Sequence, residues 1–119
     1  MSRAKIIRGE TKERETTYSV VFIEMENAYF VLLSEGEERL GTLAVSLPQK
    51  PGMLGPPLSS ILLGERNVTL ARLLAERLAK SLNKMVLVSV FVKTLDEKEV
   101  GRVFLRLLEK TLKKKGGLR

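Results

Sequence analysis

Tyr18-Ser19-Val20-Val21-Phe22-Ile23-Glu24-Met25 is dense in β-branched and aromatic residues and ends at Glu26-Asn27, a pair suited to a tight turn. Ala28 to Ser34 is a second run of the same kind, so the two read as a β-hairpin. Alternate side chains of a strand point to opposite faces, and a sheet with one wet face therefore alternates apolar with polar residues. These runs do not. Tyr18, Val20 and Phe22 point one way while Val21, Ile23 and Met25 point the other, and Phe30 and Leu32 oppose Tyr29, Val31 and Leu33. Further along, Val86, Val88, Val90 and Val92 back onto Met85, Leu87 and Phe91. Both faces of the central strands ask to be buried.

Working outward, Ser34-Glu35-Gly36-Glu37-Glu38 supplies a turn into a third strand near Leu40 to Leu47, which continues a meander. Pro48, Pro51, Pro56 and Pro57 then crowd together with Gly52 and Gly55, too dense for a helix or a central strand, so this is the long loop. Leu58 to Leu63 gives a short strand ending at Gly64. Asn67 is placed to cap a helix with Leu70, Leu74, Leu78 and Leu82 along one side, and Asn83 suits a left-handed stop. After the strand Met85 to Val92, Asp96 with Glu99 opens a second helix lined by Val100, Val103, Phe104, Leu107, Leu108 and Thr111, which Gly116-Gly117 ends.

The expected fold is therefore α+β, an antiparallel sheet of five or six strands with two helices on one face. Two helices cover one face only. The second face is closed either by the sheet curling, with the N-terminal strand folding over, or by a second subunit stacked sheet to sheet. The dimer is the favoured solution, because exposed apolar patches above a few hundred Å² are uncommon on soluble monomers. Val20, Phe22, Tyr29, Val31, Val88 and Val90 are the candidates for the paired face.

At 119 residues, the chain is sized for a single domain, residues 1–119, with the basic segment 1–14 and the basic tail 112–119 as appendages. With 44% apolar and 29% charged residues it can bury a core and keep a solvated surface. It has neither Cys nor His, which removes disulfides, Cys/His metal sites and the commonest general base. No enzyme activity, metal or cofactor is expected. The lack of Cys and of any apolar leader or membrane-length run points to the cytoplasm, and the Lys, Arg and Glu content suits a thermophile.

The net charge of +7 sits at the ends: residues 1–14 carry +3 and residues 106–119 carry +5, which leaves −1 for the body. Lys110, Lys113, Lys114, Lys115 and Arg119 give the second functional reading, a small basic nucleic-acid-binding module acting through its tails. No aromatic platform is interleaved with those cations, as single-strand binders require, so a solvated helix end accounts for them better. Gly52 and Gly55 lack the Gly-Lys-Ser/Thr ending of a phosphate loop. Glu37-Glu38 and Asp96-Glu97 are explained by a turn and a helix start, and Ser59-Ser60 and Ser89 have no His to activate them. The loop around Gln49, Lys50, Met53 and Leu54 is the candidate for partner contact, with Met53 and Leu54 as apolar anchors.

Leu62-Leu63-Gly64, followed after ten residues by Ala75-Glu76-Arg77-Leu78-Ala79-Lys80 and then by Asn83-Lys84 and Val86-Leu87-Val88-Ser89, resembles the small eukaryotic proteasome-assembly chaperones, the third and fourth members of that group. The fourth is the more similar. Gly41-Thr42-Leu43 ahead of the proline loop resembles the third, and the order of elements matches over about residues 18–110. Leu62, Leu63, Gly64, Ala75, Leu78, Ala79 and Asn83 carry the likeness, and their spacing speaks for fold rather than contact. The resemblance implies an α+β domain that pairs through stacked sheets, with itself or with a related chaperone. It also implies a non-catalytic role in building the proteasome α-subunit ring. Features of both members in one chain imply an ancestral type, such as an archaeal homologue. The end Gly117-Leu118-Arg119 lacks the hydrophobic-Tyr-x tail of other proteasome partners, so docking between α subunits does not carry over.

Overall fold

The computed structural model describes residues 3–55, 57–94 and 96–115. Among these residues six strands and two helices follow in the order β1 (Lys5–Glu13), β2 (Thr16–Glu24), β3 (Ala28–Glu35), β4 (Thr42–Ser46), β5 (Ser59–Leu63), α1 (Val68–Leu82), β6 (Met85–Phe91) and α2 (Glu97–Lys115). They form one sheet in the order β1-β2-β3-β6-β4-β5. The class is the α+β expected, with two refinements. β6 inserts between β3 and β4, so the meander stops after β3, and the β3–β6 pair is parallel while the other neighbours are antiparallel.

Residues 5–13, read from the sequence as part of a basic appendage, are instead the edge strand β1, paired along its length with β2. The hairpin turn opposes Glu13 to Thr16 with Arg14 and Glu15 between them, both left-handed at φ 50 and 65. Two positive φ values are what a two-residue turn between twisted strands requires. The next hairpin turns at Glu26-Asn27 as its composition indicates, and the Met25 N–H donates to the Ala28 carbonyl at 2.9 Å.

The register sorts the side chains into rows. On one face Ile7, Phe22, Val31, Val88, Ala44 and Ile61 run across all six strands, flanked by a row containing Gly9, Val20, Leu33, Val90 and Thr42. Both helices lie on this face, α1 over β4, β5 and β6 and α2 over β1 and β2. Leu70, Leu74 and Leu78 of α1 and Val100, Val103, Phe104, Leu107, Leu108 and Thr111 of α2 are the buried stripes, the spacings read from the sequence. Each fully buried Leu or Phe contributes about 1.5–3 kcal/mol relative to exposure, so this layer is the main source of stability.

Asn83 ends α1 in the left-handed conformation, φ 53, with its N–H donating to the Ala79 carbonyl. Asp96 caps α2 through Oδ1, which accepts from the Glu99 N–H at 3.2 Å. Asn67 stands at the N-terminal cap of α1, but its side chain makes no cap bond. Its amide instead donates to Glu97 Oε2 at 2.6 Å and ties the two helix starts together. The expected stop at Gly116-Gly117 lies outside the described residues.

Candidate partner-binding surface

The opposite face carries a second row, Ile6, Ile23, Phe30, Leu87 and Val45, which runs across β1, β2, β3, β6 and β4. No described helix lies on it. Ile6 is 58% exposed, and Ile23, Phe30, Leu87 and Val45 are half-buried. A neighbouring row, Arg8, Val21, Leu32, Ser89, Leu43 and Leu63, turns polar at the β1 edge. The far end of the face is closed by the segment 36–41. There Ser89 Oγ accepts from the Gly41 N–H at 2.8 Å, Ser34 Oγ accepts from the Arg39 N–H at 3.1 Å, and the Arg39 guanidinium sits 5.5 Å from the centre of the Phe91 ring. What stays open is the apolar half. Five strand spacings of about 4.8 Å and a seven-residue strand at about 3.3 Å per residue make the whole face about 24 by 23 Å, of which this half is the open part.

The six residues first assigned to the paired face, Val20, Phe22, Tyr29, Val31, Val88 and Val90, all lie on the other side. They are 0–3% exposed beneath α1 and α2. Their alternation partners, Ile23, Phe30, Leu32 and Leu87 among them, are the ones the described helices leave uncovered. Sequence alone could not choose between the faces because both are apolar; the choice is made by the side on which the helices pack.

The proline loop adjoins the open row at its Val45 end. Leu47, Met53 and Leu58 join Val45, Ser60 and Met85 around a hollow of about 430 Å³. Lys50-Pro51-Gly52-Met53 is a turn closed by the Met53 N–H on the Lys50 carbonyl at 3.1 Å, with Gly52 at φ 87 supplying the positive angle. Gln49 Nε2 donates to the Gly55 carbonyl at 2.9 Å, which ties the loop across its base. On this braced loop Leu54 is 95% exposed, Leu58 84% and Met53 58%. Gln49 and Lys50 build the loop, and Met53 and Leu54 are the residues it offers. Leu47 and Leu58, not singled out from the sequence, belong with them, and their signal was an apolar residue at each end of a proline loop.

The residues carrying the family likeness divide. Ala75, Leu78 and Ala79 are core, Asn83 is the helix stop, and Gly64 at φ 95 lies so close to Thr42 that a Cβ would sit 2.7 Å from its Cα. Leu62 and Leu63, however, are 53% and 46% exposed on the edge strand β5. Among the described residues no group of His, Cys, Asp or Glu is placed to hold a metal, and no helix is long and apolar enough to cross a membrane.

A family model described as proteasome assembly chaperone 4 matches residues 17–92, well over half of the chain. The fold is similar to a chain in the crystal structure of a novel chaperone complex for yeast 20S proteasome assembly, with a TM-score of 0.64 at 17% identity over 92% of this chain and 93% of that one. No curated protein matches.

Proposed function

The chain belongs to the proteasome assembly chaperone 4 family, a family of non-catalytic assembly factors, and from that premise we propose that it is a dimeric chaperone that binds proteasome α-type subunits and assists α-ring formation. The observation that carries the dimer is the open apolar row, Ile6-Ile23-Phe30-Leu87-Val45, on a face that no described helix covers. Stacking two such faces removes both from water, and the loop residues Leu47, Met53 and Leu58 add to the apolar contact. The partner is a second copy or a related chaperone. Met53 and Leu54, exposed on the proline loop, are the contacts proposed for the α-type subunit.

The work needed of such a protein is to hide or align an interface until the proper neighbour arrives, which apolar burial and shape achieve without nucleotide or metal. A single domain over residues 1–119 in the cytoplasm, where a chain without Cys loses nothing to reduction, completes the proposal. A nucleic-acid role through basic tails is less well supported. Residues 5–13 are committed to the sheet, and Arg8 and Arg14 pair with Glu38 and Glu99 at 3.0 and 3.1 Å.

Light scattering at micromolar concentration and co-purification with an α-type subunit at about 0.5 M salt test the proposal together, since phosphate contacts weaken steeply with salt and apolar docking does not. The expected particle is twice 13.3 kDa, or a pair with a related chaperone, and the subunit stays bound. A lone 13.3 kDa particle both alone and mixed with related chaperones would refute the dimer. Loss of the subunit at that salt, or its retention only through residues 112–119, would refute the docking.

A further inference from the structure

On the outer side of the helix layer, away from the sheet, α1 and α2 leave a groove of about 690 Å³ between them. Leu70, Leu74 and Gly101 form its floor, and Gly101 is what keeps it open at the helix contact, where a Cβ would reach within 3.2 Å of Leu70 Cδ1. Each wall repeats one pattern at i, i+4 and i+7: Leu73, Arg77 and Lys80 on α1, Lys98, Arg102 and Leu105 on α2. Leu73 is 58% exposed. Neither Arg77, Lys80, Lys98 nor Arg102 takes part in an ion pair among the described residues. The two acids on the rim accept hydrogen bonds, Glu76 from the Ser59 hydroxyl and Glu97 from the Asn67 amide at 2.6 Å, and four cations against these two carboxylates leave the rim net positive. An apolar trough between two basic walls has a definite complement.

We propose that this groove docks an amphipathic helix of a partner protein, its leucine-like stripe seated on Leu70, Leu73, Leu74 and Leu105 and carboxylates on both flanks meeting the four cations. A groove lined in this way accepts anchors at i, i+3 or i+4 and i+7, the helix-in-groove mode. The groove and the open sheet face lie on opposite sides of the molecule, so a chain paired through its sheet keeps the groove free. The site stands whether or not the proteasome reading holds.

The probe is a designed fifteen-residue helical peptide with leucines along one face and glutamates on both flanks, titrated into the full chain by fluorescence anisotropy and amide chemical-shift mapping. Saturable binding is expected, with shifts centred on Leu73, Gly101 and Leu105. Leu73→Glu weakens it at least about tenfold. Arg77→Glu with Arg102→Glu weakens it about fivefold or more, with a larger effect at low salt, and a lysine-flanked peptide binds correspondingly poorly. Both variants change exposed side chains, and thermal melts check that each still folds; should Leu73→Glu melt early, the charge variant decides alone. No saturable binding, shifts centred on the open sheet face, or unchanged affinity in the folded variants overturns the proposal. So does a single-stranded oligonucleotide that displaces the peptide and occupies the groove more tightly.

Discussion

The two faces of this sheet are built from the same strands and nearly the same residue types, yet they differ in what covers them. Phe22, Val31 and Val88 are 0% exposed, whereas Ile23, Leu32 and Leu87, one position away on the same three strands, remain half-buried. The difference arises in connectivity. β5 and β6 run parallel with β4 between them, so α1, which joins them, must cross over one face. α2 then leaves β6 onto the same side. Composition states how much apolar surface a strand carries; topology decides which part of it the chain hides itself.

The sharpest way to break the comparison is to replace one phenylalanine in the covered layer and one on the open face. Phe104→Ala empties the covered layer, where the Phe104 ring meets Tyr18 edge to face at 5.8 Å, and is expected to cost about 3–5 kcal/mol in denaturant unfolding. Phe30→Asp on the open face is expected to cost the folded subunit under about 1 kcal/mol, because the side chain is already partly in water. It should nonetheless weaken self-association about a hundredfold, equivalent to about 2.7 kcal/mol, as read by light scattering across a dilution series. Equal destabilisation of the subunit by the two variants would mean that the open face is covered after all.

Much of this was legible beforehand. The two-faced strands, the hairpin at Glu26-Asn27, the leucine repeat of α1 and the stop at Asn83 each follow from local chemistry that the tertiary structure does not override. What was not legible has identifiable physical causes. β1 was hidden because its turn is Arg14-Glu15 rather than Asn-Gly, and because Lys5, Arg8, Glu10 and Lys12, which protect an edge strand from unwanted pairing, read as a solvated tail. The parallel β3–β6 pair joins segments more than fifty positions apart and leaves no local mark. The candidate paired face was assigned to the wrong parity, since alternation supplies two apolar sets and the helices' choice between them is a long-range event. Composition pointed to Met53 and Leu54, which are exposed on the loop, but not to their exposed apolar neighbours Leu47 and Leu58.

The loop offers a smaller effect that sharpens the contrast between surface for folding and surface for partners. Met53→Ser with Leu54→Ser removes side chains that are mostly in water, so the thermal midpoint should shift by no more than the equivalent of about 0.5 kcal/mol. Binding to an α-type subunit, measured by co-purification or calorimetry, should fall about tenfold while self-association is kept. Undiminished binding would return the loop to the role of connector.

The smallest effect belongs to the covered face and is one of pH. Burial pushes the Tyr18 phenol above its usual 10.0, and the carboxylates of Glu35, Glu99 and Glu13 push it the same way, against the Arg14 cation. The folded chain therefore holds this proton at pH values where the unfolded chain has released it. Between the two values the native state binds more protons, so stability falls as pH rises. The contribution is complete below pH 10.0 and is lost as pH climbs through the folded value. Tyr18→Phe keeps the ring against Phe104 and deletes only the ionisable group, so the difference between parent and variant isolates it. The unfolding midpoints of the two should run parallel up to about pH 10 and then converge or cross as the parent falls faster, which fits a phenol buried under α2 beside acidic neighbours. Curves that stay parallel to pH 11.5 would show that water reaches Tyr18 freely, and that the covered face is less tightly closed at its β2 end than its packing indicates.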